Sequence, residues 1–230
     1  MRVEEYQVFA ESVLEVEFRD IDLLITALTH RSYLNEHKKT AKEHNERLEF
    51  LGDAVLELVV TEYLYLNYDE AEGILTNWRS SLVRTESLSE SANTLDIEKY
   101  LRLSKGELNA AHHGRIQMLA NCFEAIIGAI YLDSGYESAK DFITRNIINK
   151  FDDILKNGSW IDPKSKFQEL TQKEGHTPSY RVISELGPDH DKSFVVGVYV
   201  DNKLVAEGSG RSKQLAQQSA ARVALKQREL

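Results

Sequence analysis

The segment His44-Asn-Glu-Arg-Leu-Glu-Phe-Leu-Gly-Asp-Ala-Val-Leu56 decides how the rest of the chain is interpreted. On a helix, Glu46, Glu49 and Asp53 stand at positions i, i+3 and i+7, which share one face. Two like charges about 4 Å apart repel by about 4 kcal/mol at an effective dielectric of about 20. A divalent cation would remove this repulsion. The acidic face is therefore either a metal site or a solvated surface.

A second segment, Met118–Asp133, places Asn121 and Glu124 at i, i+3 among hydrophobic residues. An isolated buried charge is costly, so we expect Glu124 to have a partner. Oxygen donors without a neighbouring His or Cys favour Mg²⁺ or Mn²⁺ over zinc. The second helix strengthens the case for a metal site, but the residues alone leave the solvated surface open as an alternative.

The hydrophobic periodicity changes once along the chain. Residues 1–155 repeat apolar side chains at three- and four-residue spacing, and no Pro precedes Pro163, which predicts an all-α domain. The apolar stripes are Leu48, Leu51, Val55, Leu58 and Val59, and then Leu119, Phe123, Ile126, Ile127 and Ile130. Residues 156–161 are a predicted linker, with Gly and Pro close by. Residues 162–230 predict a small α+β domain with the order α-β-β-β-α. Ser212 is the predicted N-cap of the last helix, whose expected buried side consists of Leu215, Ala216, Ala220, Val223 and Ala224.

The charge is unevenly distributed between these parts. The chain has a net charge of −9, which divides into −11 for residues 1–160 and +2 for residues 161–230. Such asymmetry indicates divided roles. The acidic part can attract divalent cations, while phosphate contacts need only a local positive stripe in the other part.

Composition also bears on the compartment. The longest apolar stretch near the middle, Ala125–Leu132, has eight residues, whereas a membrane-spanning helix needs about 20. The first residues lack the apolar segment of a signal peptide, and a single cysteine, Cys122, fits a reducing compartment. We therefore expect a cytoplasmic protein without a membrane partner.

The segment Asn45-Glu-Arg-Leu-Glu-Phe-Leu-Gly-Asp53 closely resembles the signature of the ribonuclease III family. Further motifs match in the same order: Ala27-Leu-Thr-His-Arg-Ser32, Glu72-Gly73, Leu82-Val-Arg84, Lys105-Gly-Glu107 and Phe123-Glu-Ala-Ile-Ile-Gly128. The resemblance covers essentially the whole chain. It implies a homodimeric, all-helical endonuclease domain of the bacterial type, followed by a double-stranded-RNA-binding domain.

The resemblance also implies an activity. The expected enzyme is an Mg²⁺-dependent endoribonuclease, with Mn²⁺ as a substitute, that cleaves double-stranded RNA to 5′-phosphate and 3′-hydroxyl ends with short 3′ overhangs. It would act in the processing and decay of ribosomal and messenger RNA. Metal-assisted hydrolysis needs no nucleophilic side chain. We therefore interpret Cys122 as a core thiol and His112–His113 as part of a solvated loop.

The family's site residues map onto matching positions of this chain. Glu49, Asp53 and Glu124 match catalytic, metal-binding carboxylates, and Asn121 falls in the same metal-binding set. Glu46 and Glu72 match supporting acids near the cleavage site. Phe50 matches an aromatic residue that contacts the partner subunit, with an ordinary core phenylalanine as the alternative.

Asn121 departs from the family, which usually has Asp at this position. An amide oxygen can bind Mg²⁺ but brings no negative charge, so the formal charges around the metal fall from four to three. We expect an active site that binds its metal more weakly. The alternatives are a protein that binds double-stranded RNA with weak or absent cleavage, and a structural component of an RNA–protein assembly, against which the retained acids argue.

Residues 162–229 resemble a double-stranded-RNA-binding domain, a module that recognises duplex shape across about 16 base pairs. The start of the last helix offers backbone N–H groups suited to phosphate. Gln214, Gln217 and Gln218 stand where the family prefers positive residues, which predicts a shallower salt dependence of binding. The residues that match RNA contacts are Gln168, Glu169, Pro188, His190, Arg211, Ser212 and Lys213.

Overall fold

The computed structural model describes residues 2–37, 43–107, 112–157, 162–187 and 192–228. The chain divides into two compact units, Met1–Trp160 and Ile161–Leu230, and each has its own hydrophobic core. The predicted fold class is confirmed, because a mostly helical unit precedes an α-β-β-β-α unit. The domain boundaries stay a prediction. The last helix of the first unit continues to Asn157, two residues into the predicted linker.

The described part of the first unit is built from helices joined by short connections. Short turns of other helical types accompany them, such as a π-helical turn at Ala10–Leu14 and 3-10 turns at Ile97–Tyr100 and Ile148–Lys150. The α-helices are α1 (Val3–Phe9), α2 (Ile21–Ala27), α3 (Arg31–Glu36), α4 (Glu46–Asn67), α5 (Glu72–Val83), α6 (Thr85–Thr94), α7 (His112–Asn146) and α8 (Phe151–Asn157).

Helices α4 and α7 lie at the centre of this unit. Phe123, Ile126 and Ile130 of α7 are fully buried, as their helical spacing predicts. Leu58 of α4, expected on the apolar stripe, is instead 57% exposed. The predicted loop position of His112–His113 is also wrong, because α7 begins at His112.

One helical stretch, Gly114–Lys156, is long and apolar enough to pass a length-and-composition test for a membrane span. Of its most apolar window, 61% is buried inside the protein, as in the central helix of a globular core. The backbone also leaves helical geometry at Gly135, with φ 85° and ψ −174°. Glycine tolerates this positive φ without the steric cost that a Cβ atom would bring.

The second unit packs two helices on one face of a three-stranded antiparallel sheet with the strand order β1-β2-β3. Its core contains Phe167, Val198 and Ala220. Its elements are α9 (Pro163–Lys173), β1 (Pro178–Leu186), β2 (Ser193–Val200), β3 (Lys203–Gly210) and α10 (Lys213–Arg228).

The start of α10 is fixed by a side-chain cap. The backbone N–H of Leu215 donates to Ser212 Oγ at 3.2 Å, which confirms Ser212 as the predicted N-cap. The expectation that Leu215 and Val223 face the core is wrong, since they are 55% and 37% exposed. The buried side of α10 consists of alanines, whose small size lets the helix lie close to the sheet: Ala216, Ala220, Ala221 and Ala224.

Candidate metal centre and nucleic-acid interface

Helices α4 and α7 cross with their backbones in direct contact at two glycines. A Cβ atom added to Gly52 would overlap the carbonyl group of Glu124, and one added to Gly128 would overlap the carbonyl oxygen of Leu48. Only glycine leaves room for such an approach. The crossing therefore fixes the two acid-bearing helices as close together as their backbone atoms allow.

Three carboxylates, Glu49, Asp53 and Glu124, interact electrostatically at this crossing. Burial raises the pKa of Glu124 to about 8, and repulsion from Asp53 and then Glu49 adds to the rise. Burial also raises the pKa of Glu49, together with repulsion from Glu46 and, to a smaller extent, Asp53. Carboxylates that oppose one another's ionisation are an electrostatic fit for a divalent cation.

The donor chemistry also fits such a cation, although the side chains do not yet enclose a site. Across the residues that the structure describes, no three His, Cys, Asp or Glu side chains converge closely enough to bind a metal ion as they stand. Mutual repulsion keeps carboxylates apart until positive charge is present, so convergence would need side-chain rotation. Carboxylate oxygens without imidazole or thiolate suit Mg²⁺ or Mn²⁺.

Asn121 presents its side-chain amide near this group. Its Oδ1 accepts a hydrogen bond from Gln117 Nε2 at 2.6 Å, and the polar amide near Glu49 opposes the rise in the pKa of that carboxylate. These three residues and Glu46 line one pocket of about 230 Å³. Gln117 stands one turn before Asn121 on α7 and was not predicted from the sequence.

The two supporting acids lie in different surroundings. Glu46 lines the same pocket as Glu49 and lies 3.3 Å from Arg31 and 3.8 Å from His44. Glu72, the first residue of α5, accepts a hydrogen bond from Thr76 at 3.1 Å and lines a separate pocket of about 430 Å³. The structure thus places Glu46 beside the carboxylates and Glu72 in another pocket. The Arg31 partner of Glu46 was not predicted from the sequence.

Phe50 follows Glu49 in α4 and points to solvent. Its side chain is 82% exposed, which excludes the alternative of a core phenylalanine. It lines a pocket of about 990 Å³ together with Leu51 and Leu132. So large an exposed aromatic side chain is typical of a contact surface.

Cys122 is fully buried beside the carbonyl oxygen of Ala27, at 3.5 Å. Burial raises the pKa of its thiol, which opposes formation of a reactive thiolate. The interpretation of Cys122 as a core thiol is confirmed.

Most of the predicted RNA contacts lie exposed at two helices of the second unit. Gln168 and Glu169 are exposed on α9, and Arg211, Ser212 and Lys213 are exposed at the start of α10. The structure brings the last three together at a helix N-terminus, where backbone N–H groups favour phosphate. Pro188 and His190 lie outside the described residues.

Lys213 has an acidic neighbour that sequence analysis missed. Its Nζ lies 3.1 Å from Glu185 of β1 and 5.5 Å from the ring centre of Phe194. Glu185 also lies 3.3 Å from Lys192, and the hydrogen bonds from Lys213 and then Lys192 lower its pKa. A predicted phosphate-binding lysine is therefore already paired within the protein.

Comparison with known proteins identifies both units. A family model described as ribonuclease-III-like matches residues 20–151, more than half of the chain. The chain belongs to the ribonuclease III family. A second model, described as a double-stranded RNA binding motif, matches residues 163–228.

Individual relatives agree with this assignment. A ribonuclease 3 of Carboxydothermus hydrogenoformans is 46% identical over 217 residues, which cover 94% of this chain and 92% of that protein. A ribonuclease 3 of Streptococcus gordonii is 46% identical over 210 residues, 89% of each chain. The predicted family and enzyme class, a ribonuclease III, are confirmed.

Solved structures match the first unit. A ribonuclease III nuclease domain from Campylobacter jejuni, described for structural flexibility in the region involved in its dimer formation, is 43% identical with a TM-score of 0.53. The match covers 60% of this chain and 96% of that domain. A 2.2 Å crystal structure of the nuclease domain from the same organism gives the same TM-score at 42% identity, covering 62% of this chain and 94% of that one.

Proposed function

We propose that this ribonuclease III is an Mg²⁺-dependent homodimer that cleaves double-stranded RNA to 5′-phosphate and 3′-hydroxyl ends with short 3′ overhangs. It acts in the cytoplasm, in the processing and decay of ribosomal and messenger RNA. The observation that supports the proposal is the close crossing of α4 and α7 at Gly52 and Gly128, where repulsion from Asp53 and Glu49 adds to the burial that raises the pKa of Glu124.

The site's residues have distinct tasks in this proposal. Glu49, Asp53 and Glu124 bind the ion through carboxylate oxygens. The chemistry that Mg²⁺ supplies when bound is activation of water and neutralisation of charge on the phosphate oxygens. Arg211 and Lys213 of the second unit contact backbone phosphates, which position a duplex without reading its sequence.

Cleavage of a long RNA duplex tests the proposal. The wild type should shorten the duplex in Mg²⁺ and leave it intact in a chelator, while Glu124→Gln should lose at least about 100-fold in rate because one anionic ligand is gone. Glu137→Gln is the matched control, since Glu137 is an exposed glutamate on the same helix. It should cleave like the wild type.

The same experiment separates the alternative suggested by Asn121. An RNA-binding protein without nuclease activity would retard the duplex in a gel and never shorten it, with or without Mg²⁺. That result for the wild type would overturn the proposed cleavage. Retardation by Glu124→Gln, by contrast, is expected, because the second unit is unchanged.

A further inference from the structure

We propose that His30 is a substrate-binding residue whose Nε2–H donates a hydrogen bond to a backbone phosphate oxygen of the RNA. The inference rests on the proposed cleavage of double-stranded RNA, because the pocket that His30 lines is the one that Glu46 and Glu49 also line. His30 belongs to the motif Ala27-Leu-Thr-His-Arg-Ser32, to which the proposed function assigns no task.

The hydrogen bonds of the imidazole ring fix the position of its proton. The backbone N–H of Ser32 donates to His30 Nδ1 at 3.3 Å, and a backbone N–H can only donate. Nδ1 therefore accepts and carries no proton. In the neutral imidazole the single proton then lies on Nε2.

The side chain of Ser32 supports the same arrangement. The backbone N–H of Ser104 donates to Ser32 Oγ at 3.1 Å, so the hydroxyl proton of Ser32 can point to His30 Nδ1, which lies 2.8 Å away. Ser104 Oγ in turn accepts a hydrogen bond from the backbone N–H of Glu107 at 3.2 Å. These hydrogen bonds connect two separate motifs of the sequence and hold the ring in one orientation.

The remaining part of the ring is available to the pocket. His30 is half-buried and lines the pocket of about 230 Å³ together with Glu46, Glu49 and Glu107. Nδ1 is occupied by the start of α3, whereas Nε2 has no hydrogen-bond partner among the residues that the structure describes. Its N–H is thus the donor that the ring can offer to a ligand.

A neutral donor suits a phosphate in this acidic pocket. Ionised carboxylates only accept hydrogen bonds, and they repel the negative charge of a phosphate. Arg31 lies 3.3 Å from Glu46, so its positive charge is already offset by an acid. His30 is bound to a backbone N–H and a hydroxyl instead, which leaves its donor free for a phosphate oxygen, an acceptor that strengthens the hydrogen bond through its charge.

The residue type separates this role from helix capping alone. His30 is the N-cap of α3, and its side chain accepts from the backbone N–H of Ser32. Ser, Thr, Asp and Asn are the residues preferred for this task. An Asn would supply the same acceptor, because Oδ1 of Asn and Nδ1 of His are the same number of bonds from Cα. The imidazole adds a donor one bond farther out, at Nε2.

Two substitutions of His30 separate the roles of its two nitrogens. His30→Asn keeps the acceptor for Ser32 and removes the outer donor, whereas His30→Gln keeps a donor at the distance of Nε2 and loses the acceptor. With a short RNA duplex in saturating Mg²⁺, we expect His30→Asn to raise KM about 10- to 100-fold, as for loss of a hydrogen bond to a charged group. The kcat should change little, because the contact exists before and during the reaction.

Thermal unfolding of the same variants shows which of them retains the cap. His30→Asn should unfold like the wild type and His30→Gln at a lower temperature, although His30→Gln should have the lower KM of the two. A residue that only caps α3 would give a wild-type KM in His30→Asn. That result, or a KM of His30→Gln as high as that of His30→Asn, overturns the inference while the proposed function stands.

Binding of Mn²⁺ to the full-length protein without RNA separates a contact with RNA from a contact with the ion. Calorimetry should give the same Mn²⁺ affinity for both variants and the wild type. Weaker Mn²⁺ binding by His30→Asn, or a lower kcat at unchanged KM, would mean that His30 acts on the metal site and would overturn the inference. A wild type that leaves the duplex intact in Mg²⁺ overturns the proposed function and the inference together.

Discussion

Gly52 of α4 and Glu124 of α7 meet backbone to backbone, with no space for a methyl group between them. We therefore expect Gly52→Ala to force the helices apart and lower the free energy of unfolding by about 2–3 kcal/mol. This loss should exceed the gain of about 1 kcal/mol in helix propensity. Urea unfolding measures the stability, and the duplex assay should show a parallel loss of cleavage.

Gly73 provides the control for that substitution. It lies in α5, and a Cβ atom added there would meet nothing within 4 Å. Gly73→Ala should be neutral or slightly stabilising. Similar destabilisation by both substitutions would mean that the close crossing of α4 and α7 has no special role.

Glu124 should make the stability of the metal-free protein depend on pH. Its folded-state pKa of about 8 lies above the ordinary value of 4.5, so folding favours the protonated form. The stabilisation is full below pH 4.5 and is lost as the pH rises through 8. In a chelator near pH 8, the free energy of unfolding of Glu124→Gln should exceed that of the wild type. The difference should be on the order of 1–2 kcal/mol after allowance for solvent screening.

Two features of this result are diagnostic. The difference in the free energy of unfolding between Glu124→Gln and the wild type should vanish near pH 4.5, the ordinary pKa. Near pH 8 the difference should shrink or reverse when Mg²⁺ is added, because the ion stabilises only the ionised site. A stability difference that does not change with pH would contradict the assignment.

Glu185 should limit the affinity for RNA because it pairs with Lys213 at 3.1 Å. Exposed ion pairs contribute up to about 1 kcal/mol, a factor of about five in affinity. We expect Glu185→Gln to bind a short RNA duplex about two- to fivefold more tightly at low salt. The slope of the logarithm of the binding constant against the logarithm of the salt concentration should steepen by up to about one unit, because a freed lysine can displace a further counterion.

Glu207→Gln is the control for this prediction. It makes the same change in net charge on β3, at an exposed residue of the same unit. Fluorescence anisotropy over a salt series measures both variants. Equal tightening by the two would mean that overall charge, and not the pairing with Lys213, determines the effect.

Phe50 should contribute to association of the subunits. Burying a side chain that is 82% exposed in the single chain would favour a dimer by about 2 kcal/mol. Because the substitution removes both copies of this side chain from a symmetric dimer, Phe50→Ala should raise the dissociation constant about 100- to 1,000-fold, measured by sedimentation. Val8→Ala, at another exposed apolar residue, should leave the dimer intact. Unaltered association of Phe50→Ala would rule out this contact.

The sequence predicted the fold because periodicity reports burial directly. The spacing of Ile126 and Ile130 indicated a buried helix, and Ser212 indicated where α10 begins. Leu58 and Leu215 were wrongly predicted to be buried. Helical spacing indicates which side of a helix is apolar, but it does not determine how wide the buried part of that side is. On α10 the buried face is made of small alanine side chains rather than leucines, because this helix lies close to the sheet of the second unit.

The candidate site was predicted in part. Spacing placed Glu49 and Asp53 on one face of a predicted helix and Glu124 on a second helix, because a helix face can be read from the sequence. The role of these three residues as metal ligands stays a prediction. The partners Arg31, Gln117 and Glu185 were missed. Their roles depend on side-chain directions and on contacts between distant segments, as in the ion pair between Glu185 and Lys213, which no local pattern encodes.

Glu49 and Phe50 are consecutive in α4, so their side chains leave the helix about 100° apart. In the proposed function, one helical segment therefore serves both hydrolysis and self-association. An insertion of one residue between Glu49 and Phe50 would turn the side chain of one by about a further 100° around the helix axis relative to the other.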